Sequence, residues 1–199
     1  METTELFYAG IGSRETPDTV NRDLEDIAEA LALRGFVLRS GGADGADTAF
    51  EIGAKRVNGP MEIYLPWQGF NGNLSPLFGV TPEALRLAET VHPRWDMLGQ
   101  GPRKMHGRNC FQVLGKSLTK PAKMVICWTP DGCEAEARRT RNTGGTATGI
   151  VLALRQGIPV FNLQAPGARA RLNEFLKSLG VSFQLTIETA SGPSQANLF

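Results

Sequence analysis

The sequence predicts an α/β fold built on a doubly wound, mostly parallel sheet, and three observations predict it. Short apolar runs such as Leu6 to Ile11 and Met124 to Trp128 lack the alternation of half-exposed strands, which marks strands buried on both faces. Segments with apolar residues at helical spacing alternate with them along the chain. Glycine-rich segments stand where a strand should hand over to a helix: Gly10 to Arg14, Ser40 to Gly45, and Thr143 to Thr146.

Leu6 to Ile11 reads as the first strand. Thr16 then offers an N-cap with Pro17 at the first helical position, and Val20, Leu24, Ile27 and Leu31 repeat at helical spacing until Gly35. Phe36 to Arg39 is the second strand, and the helix after it carries Phe50, Gly53, Ala54 and Val57 on its inner face. Met61 to Leu65 is the third strand. Pro66 to Val80, with Trp67, Phe70 and Asn71, reads as an irregular loop able to cover a ligand. Pro82 to Val91 is a helix broken by His92 and Pro93, and Lys104 to Leu118 is another that leads into the strand Met124 to Trp128. Thr129 to Thr143 is polar and charged and reads as a mobile excursion before a helix over Thr146 to Gln156. Ile158 to Asn162 is a strand, Arg169 to Leu179 a helix, and Val181 to Ile187 an edge strand. Strand order is not readable from this pattern. The expected organisation is one domain over residues 1–190 and a flexible tail over 191–199.

Charge and cysteine usage exclude several classes. With 21 basic and 20 acidic residues, net +1, the chain has no broad electrostatic footprint for non-specific nucleic-acid or membrane binding. Cys110, Cys127 and Cys133 are odd in number and form no CxxC pair, and His92 and His106 are too few and too far apart for a metal motif. Neither a disulfide framework, a metal nor a resident cofactor is expected. No apolar run approaches a membrane span, and Met1 to Glu5 lacks the basic start of a signal peptide, so a cytoplasmic protein without membrane contact is expected.

The glycine-rich turns carry the functional reading. Glycine lets backbone approach a ligand closely, and free N–H groups at a helix start favour an anion. Gly12, Ser13 and Arg14 in the first turn, Ser40, Gly41, Gly42 and Gly45 in the second, and Gly144, Gly145, Thr146 and Thr148 in the third are the candidate phosphate contacts. Asp44 and Asp47 are candidates for the same site, with helix N-cap and N3 positions as their competing structural use. Trp67, Phe70, Trp95 and Trp128 are available to stack on a base, and core packing competes for each. Arg138, Arg139 and Arg141 form either a solvated loop or a phosphate clamp. Glu15 replaces the third glycine of the dinucleotide signature, and no GK[ST] follows the middle loop, so neither NAD binding nor a Walker-type ATP site is expected.

Taken together, these segments resemble the SLOG superfamily, a Rossmann-like group that includes the DNA-processing protein A family and the LOG phosphoribohydrolases. The resemblance runs over roughly residues 6–163. It is carried by Gly10-Ile11-Gly12-Ser13-Arg14, by Ser40 to Asp47, by Ile63 to Pro66, by Arg108-Asn109, and by Gly157-Ile158-Pro159-Val160-Phe161. It implies a nucleotide-like ligand at the carboxyl edge of the sheet, adds Arg108 and Asn109 to the candidate contacts, and implies self-association through helices beside the site. Arg108 and Asp47 are the candidate catalytic residues, with His106 as an acid or base beside them. The LOG motif needs a glutamate where Gly144-Gly145-Thr146-Ala147-Thr148-Gly149 is followed by Ile150 and Val151, and an apolar side chain neither activates water nor stabilises an oxocarbenium ion.

Three readings follow. The first is a protein that binds, senses or sequesters a nucleotide or nucleotide derivative. The second is an enzyme that cleaves an N-glycosidic bond. The third is an accessory protein of DNA metabolism, touching single-stranded DNA and docking on a bacterial sliding clamp through the tail residues Gln195, Leu198 and Phe199, which resemble the Q-x-x-L-F docking peptide.

Overall fold

The computed structural model describes residues 6–186 of the chain, and the tail residues Gln195, Leu198 and Phe199 lie outside them. Five strands form one all-parallel sheet: β1 (Leu6–Gly12), β2 (Phe36–Ser40), β3 (Met61–Ile63), β4 (Val125–Trp128) and β5 (Val160–Asn162). Its order is β3-β2-β1-β4-β5, so the chain winds outward from β1 in one direction and then crosses over to continue in the other. Six α-helices accompany the strands: α1 (Asp18–Leu33), α2 (Ala46–Arg56), α3 (Pro82–Val91), α4 (Gln100–Leu114), α5 (Thr146–Arg155) and α6 (Ala168–Ser178). This is the expected α/β, Rossmann-like arrangement. The switch in direction leaves a crevice between the carboxyl ends of β1 and β4, where an open parallel sheet binds its ligands.

The strands are buried because helices cover both faces. One core layer joins Leu24, Ile27 and Leu31 of α1 and Phe50 of α2 to Tyr8, Phe36 and Leu38 of the sheet. A second joins Phe111 and Val113 of α4 and Ile150 and Leu152 of α5 to Ala9, Ile11, Val125 and Cys127 on the opposite face. Each fully buried leucine or isoleucine contributes about 1.5–3 kcal/mol. Helices α1 and α2 approach closely at Gly53, where a Cβ would stand 1.9 Å from the Glu25 carbonyl oxygen.

Several local expectations need correction. Pro17 rather than Thr16 occupies the cap of α1, and the Thr16 hydroxyl donates to the Ser13 carbonyl instead. Gly45, at φ 76°, is the cap of α2, so Asp44 is left exposed and caps nothing. Helix α4 runs four residues earlier than its apolar pattern suggested, because Gly115 at φ 71° stops it. Val181–Thr186 forms no strand; α6 uses its polar groups, with Val181 N–H donating to Leu176 and the Asn173 amide pairing with both N–H and C=O of Leu185. Ile187 lies outside the described residues.

The stretch between β4 and α5, read as a mobile excursion, is organised around one carboxylate. Asp131 accepts hydrogen bonds from the hydroxyls of Thr129 (2.8 Å), Thr140 (2.6 Å) and Thr143 and from the Cys133 N–H. Burial pushes this carboxyl up, but the hydrogen bonds together outweigh it and hold it below the usual carboxylate range. Asn162 of β5 ties the same knot to the sheet through Thr129 and the Cys133 carbonyl.

Candidate functional site

A cavity of about 620 Å³ opens at the crevice between β1 and β4. The turn after β1 supplies Gly12, Ser13, Arg14 and Glu15; α2 supplies Asp47; α4 supplies Met105, His106, Arg108, Asn109 and Gln112; the segment before α5 supplies Arg141, Asn142, Thr143, Gly144 and Gly145, and α5 itself Thr146. Of the residues read as ligand contacts, the cavity therefore gathers Gly12, Ser13, Arg14, Asp47, Arg108, Asn109, Gly144, Gly145 and Thr146.

The others lie elsewhere, each for a packing reason. Ser40 is fully buried and donates to the Gly10 carbonyl at 2.7 Å, joining β2 to β1. Gly41 is filled by α4: a Cβ there would sit 1.1 Å from Arg108 Nη1. Gly42, at φ 66°, packs against Leu65, and a Cβ on Gly45 would sit 2.5 Å from the Ser13 carbonyl oxygen. Thr148 turns away and its hydroxyl meets His106 Nδ1 at 2.7 Å. Asp44 is exposed and lines no part of the cavity.

The middle of the wall is a buried ion pair. Arg108 and Asp47 are 5% and 3% exposed, and Arg108 Nη1 stands 3.4 Å from Asp47 Oδ2. That oxygen also accepts the Ala43 N–H at 3.4 Å, while Oδ1 has no hydrogen-bond partner among the described residues. The pair is loose for its burial. Desolvation accordingly lifts the Asp47 carboxyl to about 6 despite the opposing pull of Arg108, and lowers Arg108 from its ordinary value. Arg108 Nε is buried without a partner.

Arg14 and Arg141 line the same cavity and form no ion pair among the described residues. Gly144 and Gly145, in the turn that begins at Arg141, are exposed, with open space where a side chain would stand. Gly145 begins α5 without a side-chain cap, and Asn109 Nδ2 holds its carbonyl at 2.8 Å. The Asp131 knot holds the rim from the other side through Thr143. The result is a helix start without a side-chain cap that lines the same cavity as cationic side chains, which suits an anion.

Histidine placement differs from the sequence reading. His92 and His106 come together with ring centroids 4.5 Å apart beside Trp95. Burial, with His92 and Arg108 nearby, lowers His106 to about 4, so it faces the cavity as a neutral ring. No group of three or more metal-ligating side chains occurs among the described residues. Gln112, Asn142 and Thr143 were not singled out in the sequence. Gln112 lies one helical turn beyond Arg108, a spacing that places both on one face of α4.

No family model matches the chain, and no curated protein matches it. Among solved structures, it is similar to the molybdenum cofactor carrier protein of Chlamydomonas reinhardtii, at 16% identity over 88% of this chain and 87% of that one, with a TM-score of 0.48. It is also similar to DNA processing protein A of Streptococcus pneumoniae, at 19% identity over 85% of this chain and 56% of that one, TM-score 0.47. A molybdenum cofactor binding protein of Rippkaea orientalis matches at 16% identity over 88% and 99%, TM-score 0.42. At such identities the likeness concerns the fold and says nothing of a ligand. No helix of the described residues is long and apolar enough to cross a membrane.

Proposed function

We propose that this chain binds a nucleotide or nucleotide-derived small molecule, through its phosphate, at the carboxyl edge of the sheet between β1 and β4. The observation that carries the reading is the uncapped start of α5 at Gly145 and Thr146, opening onto one cavity with Arg14, Arg108 and Arg141. Backbone N–H groups and the helix dipole supply part of the anion site, and the guanidinium groups supply geometry and charge. Gly12 and Ser13 line the near side of the same space.

The test is thermal unfolding with a panel of phosphate esters and their unphosphorylated counterparts. A ligand present at a hundred times its dissociation constant stabilises the fold by about 2.7 kcal/mol, a shift easily read. Stabilisation confined to the phosphorylated members supports the reading. A panel of nucleoside mono- and diphosphates without effect overturns it.

A second reading, cleavage of the N-glycosidic bond, draws on one observation: Asp47 is a cavity carboxyl lifted to about 6, the range of a proton donor. Ile150 and Val151 are both fully buried in the core, so α5 brings no carboxylate to the cavity. Release of free base from nucleoside monophosphates, lost in Asp47→Asn, is the result this reading requires.

A further inference from the structure

The loop over Pro66–Val80 does not cover the cavity, and none of its residues lines it. It meets the wall at a residue that does, Arg108. That side chain is almost wholly buried, and its one hydrogen bond among the described residues is the loose contact to Asp47 at 3.4 Å, with Nε left unpartnered. A single long bond does not fix a planar guanidinium that carries five N–H groups. Packing has to fix it. The guanidinium lies across Gly41, and its carbon stands 5.8 Å from the centroid of the Phe70 ring.

The loop is shaped to hold Phe70 at that place. Its turn has left-handed backbone at Gly69 (φ 72°), Asn71 (φ 51°) and Gly72 (φ 70°), which glycine and asparagine accept more readily than other residues. Asn71 Nδ2 donates to the Gly42 carbonyl at 3.3 Å, and Asn73 Nδ2 donates to the buried Glu51 carboxylate at 3.2 Å. These bonds tie the Phe70 turn to the Ser40–Gly45 turn and to α2, the segments that carry Gly41 and Asp47. Phe70 is itself buried, with Trp67 edge-on to it at 5.1 Å. A guanidinium within about 6 Å of an aromatic centroid is drawn to the ring, and more strongly where water is excluded. An aliphatic side chain in the same space has no such attraction.

We infer that Phe70 is a positioning residue for the anion site: it touches no ligand, and it holds the Arg108 guanidinium in the orientation the ligand meets. This rests on the anion-site reading above and adds what fixes its buried arginine. Coupling of this kind is reciprocal, so a ligand that engages Arg108 also steadies the Phe70 turn.

The test is calorimetric titration of the intact chain with AMP, ADP and inorganic phosphate, beside the variants Phe70→Leu, Phe70→Tyr and Ile27→Val. Phe70→Leu should weaken binding about three- to tenfold, the range of a desolvated contact between a cation and a ring. Phe70→Tyr keeps the ring and should bind within about twofold of the parent. Ile27→Val changes a fully buried residue of α1 that does not line the cavity, and it should lower thermal stability with affinity unchanged, which separates positioning from stability. Hydrogen exchange asks the same question of the unaltered chain, and so stands even if a variant does not fold. With the tightest of the three probes at saturation, the amides of Phe70, Gly72 and Asn73, each bonded within its turn, should slow by a larger factor than those of Leu118 and Lys120 in the turn after α4. Binding by Phe70→Leu within about twofold of the parent, equal weakening in Phe70→Tyr or Ile27→Val, or exchange at the Phe70 turn that slows no more than at Leu118, overturns this inference and leaves the anion site intact. Failure of the parent chain to bind any of the three probes overturns both.

Discussion

The turns Ser40–Gly45 and Thr143–Thr146 look alike in sequence and do opposite work in the fold. In the first, every glycine that faces something faces protein: Arg108 fills the space beside Gly41, Leu65 that beside Gly42, and the Ser13 and Arg14 backbone that beside Gly45. In the second, Gly144 and Gly145 face open space at the rim of the cavity. A glycine-rich turn at the end of a strand marks close approach by something. Whether that is the protein's own side chain or a ligand depends on what the rest of the chain brings there.

Substitutions separate the two turns. Gly45→Ala should cost about 3 kcal/mol or more in denaturant unfolding, since it combines a left-handed backbone with a clash against backbone that cannot step aside. An unchanged midpoint would mean the turn is not packed as described. Gly41→Ala should cost about 1–3 kcal/mol, because Arg108 must leave a buried partner, and it should also abolish stabilisation by phosphate esters. Retained ligand response in that variant would remove Arg108 from the site.

A pH series reads the ion pair behind the first turn. Asp47 holds its proton to a higher pH when folded than when unfolded, so it contributes stability at low pH that is lost as pH rises from about 4 through 6. His106, lowered to about 4, has the opposite sign: its contribution is lost as pH falls through that window. The two offset each other in the parent chain. Asp47→Asn should therefore gain stability with rising pH relative to the parent, and His106→Asn should lose it. Parallel curves for all three proteins would show that neither group titrates abnormally.

Gly145→Ala should change stability by no more than about 0.5 kcal/mol, since its backbone at φ −63° suits any residue and its surroundings are empty. Its effect should appear in ligand titration instead, as weaker binding of phosphate esters. Full retention of affinity would move the anion away from the start of α5.

Much of this was legible in the residues. Buried strands announced themselves through Leu6 to Ile11 and Met124 to Trp128, and α3 fell at Pro82–Val91 because Thr81, Pro82 and His92-Pro93 bound it locally. Arg14, Asp47, Arg108 and Asn109 were singled out and meet at one cavity. Gln112 and Thr143 were not, since a glutamine on a helix and a threonine in a polar loop carry no signal until their neighbours are known. Thr148 and Ser40 looked like phosphate contacts and serve instead as internal hydrogen-bond partners of His106 and Gly10. A hydroxyl beside a glycine reads the same in either use.

By itself the sequence determined the alternation of parallel strands and helices and the positions of the turns, because hydrophobic period, caps and glycine conformations act over a few neighbouring residues. Only the tertiary structure decided that β4 lies beside β1 rather than at an edge, which puts Arg14 and Gly145 on one cavity, and that α4 lays Arg108 across Gly41. Those decisions belong to packing between segments far apart in the chain, where the shape of one surface selects its partner and no local preference records the choice.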